Sequence, residues 1–308
     1  MMKTALMILL IMITALSVEA APAAIDKSND AELQAMINET VPKFSQLNYS
    51  EGGNNLPCNL FLPEGYPGTE KYPLVIFLGD AGAEGDGTDA PLRQGYGGII
   101  WASNADQTKR KCLVLVPQYP HNIAEDKTGA TAASYITMTE NLIRAVIDGF
   151  QVNGNKVYVT GQSMGCMAMM IITEKKPDLF AAELFVAGRR DPKSIDGLRK
   201  QKFFHVVAEG DTEAAAAQVK LVRMLQAAGI PISRTYEWNA KMSQDEFSKA
   251  IRVILSGHPT ANFARFINGT VLPPGVSGSE AEHLYSFDAA YRIDALRDWM
   301  FMQEKFKR

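Results

Sequence analysis

Ser163 stands in Gly161-Gln162-Ser163-Met164-Gly165, a G-x-S-x-G run entered from the β-branched segment Lys156-Val-Tyr-Val-Thr160. It leads into an apolar stretch, Met164 to Lys175, that Pro177 closes. A serine on a tight strand-to-helix turn exposes its hydroxyl, and glycines on both sides remove Cβ atoms that would clash there. Such a hydroxyl becomes a nucleophile when a histidine accepts its proton and a carboxylate orients that histidine. The Met164 N–H, at a helix start, points toward any oxyanion formed beside Ser163.

In this strand–turn–helix context the partners follow in the order Ser, acid, His. Of the four histidines, His121 precedes the serine, and His205 lies inside the apolar run Phe203 to Ala208, where a satisfied core histidine is expected. His258 and His283 remain, and His283 is preferred because Glu282-His283-Leu-Tyr-Ser-Phe287 stands just before the expected terminal helix. Asp211 follows the run Phe203 to Ala208 through Glu209-Gly210, which puts it at a strand's carboxyl end, where open α/β sheets keep their sites. Glu209 and Glu213 are neighbouring substitutes whose ordinary reading is solvated loop charge.

The elements that must hold these residues alternate. Pro73 to Leu78 and Cys112 to Val116 are continuous apolar runs, as strands buried on both faces should be. Ser134 to Phe150 has a helical apolar face, and Lys156 to Thr160 is the next strand. Further expected elements are a strand at Ala182 to Ala187, a helix from Glu213 to Ala228 stopped by Gly229 and Pro231, and a strand near Ser233 to Trp238. A helix capped by Ser243 with Glu246 and a final helix from Phe287 to Phe306 complete the series. Gly257 to Leu284, rich in Gly, Pro and Asn, is expected to be an irregular functional loop. The rhythm is that of one α/β domain with a mostly parallel central sheet and helices on both faces.

Hydrophobic residues make up 46% and charged residues 21% of the 308, so a packed core is expected rather than disorder. A net charge of −3 without a basic run argues against nucleic-acid binding. Mean hydropathy of −0.09 and a single long apolar stretch argue against a polytopic membrane protein. That stretch has the parts of an export signal: Lys3, the apolar Ala5 to Leu16, and the small-residue site Val18-Glu19-Ala20. The expected division is a signal peptide over 1–20, a lead-in over 21–55 and the α/β domain over 56–308, with the mature protein secreted or periplasmic and not inserted in a membrane. The three cysteines, Cys58, Cys112 and Cys166, are too few for a disulfide scaffold and lie in apolar surroundings. The run Asp80, Glu84, Asp86 and Asp89 lacks the spacing of an EF-hand loop, so no metal is assigned, and no cofactor is required.

The series Tyr158-Val-Thr-Gly-Gln-Ser-Met-Gly165, Lys176-Pro-Asp-Leu-Phe-Ala-Ala182, Ala208-Glu-Gly-Asp211 and His283 with Tyr285-Ser-Phe-Asp-Ala-Ala-Tyr291 resembles secreted α/β-hydrolase esterases. It is similar to the polyhydroxybutyrate depolymerase and feruloyl/acetylxylan esterase group, shading into prolyl-oligopeptidase-like sequences, over about Leu56 to Trp299. The resemblance implies an α/β-hydrolase fold and Ser163, Asp211 and His283 as the triad of a carboxylic ester hydrolase. Where that group usually has His-Gly, this chain has Gly79-Asp80, so the Ala81 N–H is taken as the second oxyanion donor beside Met164. Asp80 would place negative charge beside a developing oxyanion unless it turns away. Also in this fold, Cys58 and Cys112 would lie on neighbouring strands, which raises a disulfide between them. Trp101, Trp238 and Tyr285 are candidate contacts for a sugar or phenolic ring. The resemblance leaves the ester open among acetyl, feruloyl, polyester and small acyl groups, with peptides a minority, and a glycan-binding module on a hydrolase scaffold as the rival reading.

Overall fold

The computed structural model describes residues 25–85, 87–124, 130–190 and 194–306, so the expected export signal lies outside the described residues. In chain order the elements are α1 (Ala31–Thr40), β1 (Ser45–Glu51), β2 (Asn54–Phe61), β3 (Tyr72–Leu78), three short helices α2 (Ala90–Arg93), α3 (Tyr96–Ile99) and α4 (Asn104–Lys109), and β4 (Leu113–Pro117). Then follow α5 (Ala130–Gly149), β5 (Val152–Gln162), α6 (Met164–Lys175), β6 (Ala182–Val186), β7 (Phe203–Ala208) and α7 (Thr212–Ala227). The chain ends with β8 (Ile232–Trp238), α8 (Gln244–Leu255), β9 (Ala261–Phe266), α9 (Ser279–Tyr291) and α10 (Asp294–Phe301).

The strands form one nine-stranded sheet in the order β1-β2-β4-β3-β5-β6-β7-β9-β8. The β1–β2 and β2–β4 pairings are antiparallel, and every later pairing is parallel. Parallel neighbours need crossovers, and helices on both faces provide them, so the central strands are buried twice over. Val75 and Phe77 of β3 face one core with Tyr96, Trp101, Phe287, Tyr291 and Trp299, whereas Leu74, Ile76 and Leu78 face the other with Ile143, Met169 and Ile172. Strand alternation divides one apolar run between the two cores, and burying a side chain of this size stabilises by roughly 1.5–3 kcal/mol.

Local signals set the helix ends. Ser243 and Glu246 exchange both bonds of a capping box at α8, and Phe247, Ile251 and Ile254 form its buried stripe. Asp30 and Ser103 cap α1 and α4. Lys27 Nζ reaches Asp288 Oδ2 at 2.6 Å and the Gln94 carbonyl at 2.9 Å, tying the lead-in to α9.

Three expectations need correction. Gly257 to Leu284 is not one irregular loop: it contains β9 and the start of α9. The strand is hidden because Ala261-Asn-Phe-Ala-Arg-Phe266 carries polar residues in the sheet interior, where Asn262 is fully buried and its Nδ2 donates to the Phe203 carbonyl at 3.1 Å. The terminal helix is two helices broken at Ile293, which is extended (φ −75°, ψ 103°). There the Tyr291 carbonyl accepts from the Arg297 guanidinium, so α9 gives up a main-chain acceptor at its last turn. Finally, Cys58 and Cys112 are both free thiols. β2 and β4 are neighbours, but Cys58 stands opposite Pro117, five positions from Cys112. That spacing of about 17 Å along an extended strand is far beyond disulfide reach.

Candidate active site

Ser163 sits between β5 and α6 with φ 48° and ψ −116°, a left-handed conformation that a serine adopts only where its surroundings impose it. The close packing explains both glycines. A Cβ on Gly165 would lie 2.0 Å from the Leu78 carbonyl oxygen, and one on Gly161 would lie 2.6 Å from the Gly165 carbonyl carbon. The Ser163 N–H donates to the Val186 carbonyl at 3.1 Å, locking the turn to β6.

The hydroxyl does not act as a helix cap; Ser163 Oγ lies 2.9 Å from His283 Nε2. On the other side of the ring, His283 Nδ1 lies 2.5 Å from Asp211 Oδ2. With Nδ1–H donating to the carboxylate, Nε2 carries the lone pair that faces the serine O–H. Asp211 is fully buried at the N-cap of α7, and its Oδ1 accepts from the Ala214 N–H at 3.1 Å. The positive end of the helix stabilises that charge. His283 belongs to the first turns of α9 rather than to a loop before it, and the Phe287 ring stands edge-on to it at 4.9 Å.

The other candidates lie elsewhere. Glu209 Oε2 accepts from the Asn268 N–H at 3.2 Å, and the exposed Glu213 faces Arg189 at 3.4 Å. His258 is exposed just past the end of α8, and His121 stands edge-on to Tyr135. His205 is core, as its apolar strand implies, but it is not a satisfied histidine: neither ring nitrogen has a hydrogen-bond partner among the described residues. Burial, followed by the nearby Arg265 charge, pushes its pKa down to about 3. Trp101 and Trp238 are buried in the core, whereas Tyr285 is partly exposed beside Leu272 and Pro273.

Met164 is the first residue of α6, so its N–H has no acceptor within the helix. Ala81 opens the short 3₁₀ turn Ala81–Ala83 after β3. Asp80 is turned inward from this turn. Its Oδ1 accepts from the Gly82 N–H at 2.7 Å and Gln94 Nε2 at 2.8 Å, and its Oδ2 accepts from Gln162 Nε2 at 2.5 Å. Three neutral donors therefore surround the carboxylate that the sequence left as a liability.

Sequence reasoning passed over Gln94 and Gln162, because glutamine at the variable position of G-x-S-x-G carries no signal until its partner is known. It also passed over Glu282, which is buried with Oε1 2.5 Å from the Gly269 N–H. Burial pushes the Glu282 carboxyl up, the Gly269 hydrogen bond opposes this, and the charges of Asp211 and Glu209 add to it. Asp89 pairs with Arg93 at 2.7 Å, and no group of three or more His, Cys, Asp or Glu among the described residues is placed to hold a metal ion. No helix among the described residues is long and apolar enough to cross a membrane.

No family model and no curated protein matches the sequence. Solved structures do match. A thermostable esterase superposes with a TM-score of 0.69 at 22% identity, covering 86% of this chain and 64% of that one. This chain thus spans less than two thirds of that esterase. The feruloyl esterase module from Clostridium thermocellum, in a mutant complexed with sinapinate, superposes with a TM-score of 0.56 at 14% identity, covering 89% of this chain and 93% of that one. A ferulic acid esterase gives 0.52 at 14% identity, over 84% and 99%. The likeness is one of fold, an α/β-hydrolase fold.

Proposed function

We propose that this chain is an exported serine hydrolase that cleaves carboxylic esters through an acyl-enzyme. One observation carries the reading: a single imidazole spans Ser163 Oγ at 2.9 Å and the buried Asp211 carboxylate at 2.5 Å. In this scheme Ser163 Oγ attacks the ester carbonyl carbon while His283 Nε2 takes its proton. The carbonyl oxygen gains the negative charge, facing the N–H groups of Met164 and Ala81. Collapse breaks the bond to the leaving oxygen, which takes the proton from His283. Water then repeats the sequence on the acyl group and restores Ser163. Asp211 holds the ring and stabilises its cation without becoming protonated. The scheme uses no cofactor.

The likeness to feruloyl esterases, one of them complexed with sinapinate, supports feruloyl and acetyl esters of polysaccharide as the first substrates to try. Export rests on the apolar segment behind Lys3 and the site at Val18-Glu19-Ala20. The glycan-binding rival drew its support from Asp80, and three hydrogen bonds turn that carboxylate inward. The test needs no substrate: a fluorophosphonate probe is applied to the purified protein and the adduct is mapped by mass spectrometry. Labelling at Ser163 that disappears in Ser163→Ala and His283→Ala is the expected result. A folded wild-type protein that takes no label would overturn the reading.

A further inference from the structure

Arg189 follows β6 by three residues, beyond Ala187, a non-glycine residue with φ 48°. The backbone turn sends its guanidinium toward three carboxylates on two helices. Arg189 Nη2 lies 3.5 Å from Asp211 Oδ1 and 3.1 Å from Glu280 Oε2, and Nη1 lies 3.4 Å from Glu213 Oε2. Asp211 caps α7 and Glu213 lies in its first turn; Glu280 lies in the first turn of α9, the helix that carries His283. A second tether joins the same two helix starts: the Thr212 N–H donates to Ser279 Oγ at 3.1 Å, and the two hydroxyls lie 3.2 Å apart. An exposed ion pair contributes little, but a planar fork shared by three carboxylates fixes geometry as well as charge.

Resting on the serine-hydrolase reading, we infer that Arg189 is a positioning residue for Ser163, His283 and Asp211. Its guanidinium joins the start of α7, where Asp211 stands, to the start of α9, the helix that carries His283. The charged groups around the imidazole make the sign definite. Asp211, Glu209 and Glu213 lie along the β7–α7 connection, and Glu280 and Glu282 lie on α9; all five are acidic. Arg189, from the turn after β6, opposes them, while Arg265 and the neutral His205 belong to β9 and β7. Removing the Arg189 charge leaves the acidic set uncompensated, so a pH profile reads the loss of that charge as well as the loss of the tether.

The experiment measures the rate of fluorophosphonate inactivation of the full chain from about pH 5 to 9 for wild type, Arg189→Gln, Arg189→Lys and Glu280→Gln. In Arg189→Gln the acid limb is expected to move up by about half to one pH unit, with the plateau rate falling roughly tenfold. Arg189→Lys is expected to return the limb toward wild type while recovering only part of the plateau, because an ammonium lacks the fork. Glu280→Gln is expected to move the limb down, and this opposite shift carries the test if Arg189→Gln does not fold. A limb that stays at the wild-type position in both Arg189→Gln and Glu280→Gln would overturn the role of Arg189. A folded wild type unlabelled at Ser163 would instead overturn the serine-hydrolase reading on which that role rests.

Discussion

Asp80 Oδ2 accepts a hydrogen bond from Gln162 Nε2 at 2.5 Å, fastening the turn after β3 to the residue immediately before Ser163. Of the two expected oxyanion donors, Ala81 directly follows Asp80 and Met164 stands two residues after Gln162. Asp80→Ala leaves the amide of Gln162 without its acceptor and that of Gln94 with only the residue-80 carbonyl at 3.4 Å, which should cost about 1–3 kcal/mol of stability. It should also lower kcat by more than roughly tenfold, with KM changed less, as the Ala81 N–H loses its placement. Thermal unfolding and steady-state kinetics on an aryl ester check both. A wild-type kcat in a destabilised Asp80→Ala would show that Asp80 does not place that N–H.

Asp211→Asn keeps an oxygen that can accept from the Ala214 N–H at the start of α7 but reverses the polarity of the bond to His283. The amide N–H faces Nδ1, the ring presents the wrong tautomer to Ser163, and kcat should fall by about 10⁴. A loss smaller than tenfold would mean that another group orients the imidazole.

Glu183 lies wholly buried in β6, its Oε1 accepting from the Thr173 hydroxyl at 2.7 Å and its Oε2 unpartnered among the described residues. Burial pushes its pKa up to about 8, and the Thr173 hydrogen bond only partly opposes this. The folded state therefore holds a proton that the unfolded chain releases from about pH 4.5 upward. Its contribution is full below that pH and is lost as pH rises through 8. Glu183→Gln keeps the Thr173 contact and removes the titration. Its melting temperature should hold between pH 5 and 8 while the wild type loses roughly 1–4 kcal/mol. Parallel melting curves across that range would refute the buried-acid account.

His205 titrates in the opposite sense. Its pKa, pushed down to about 3 by burial, lies below that of an exposed imidazole, so the unfolded chain binds a proton first. The stability it contributes is complete above about pH 6.5 and disappears as pH falls through 3. His205→Phe, placed between the rings of Phe185 and Phe263, should flatten the acid side of the stability curve. Urea midpoints at pH 7 and 4 measure this, and an acid loss equal to that of wild type would assign it to other groups.

What could be read without coordinates follows from how locally each feature is encoded. The helix from Met164 to Lys175 and the strand Phe203–Ala208 carry their own apolar runs and stops, and their observed bounds agree with the reading, whereas the strand expected at Lys156 to Thr160 runs longer at both ends, from Val152 to Gln162. Asp211 was legible because it follows such a strand at short range. His283 was legible by chain order, but its helix was not, since Ser279-Glu-Ala-Glu-His283 has no apolar stripe and Gly278 before it resembles a loop. β9 was missed because Asn262 and Arg265 satisfy partners on other elements, Phe203 on β7 and Gln218 on α7, that no window of sequence contains. The inward turn of Asp80 and the three-carboxylate contact of Arg189 are tertiary in the same sense.

The order β5-β6-β7-β9 puts the strands leading to Ser163, Arg189, Asp211 and His283 side by side, with β8 flanking them at one edge and β1 and β2 beyond β3 and β4 at the other. Ser163, Arg189, Asp211 and His283 thus follow four contiguous strands, each braced by hydrogen bonds on both sides. The rims of the sheet carry none of them. In evolutionary terms the rims have latitude: edge strands and their loops can lengthen, shorten or change chemistry to suit a new ester without re-aiming serine, imidazole or carboxylate.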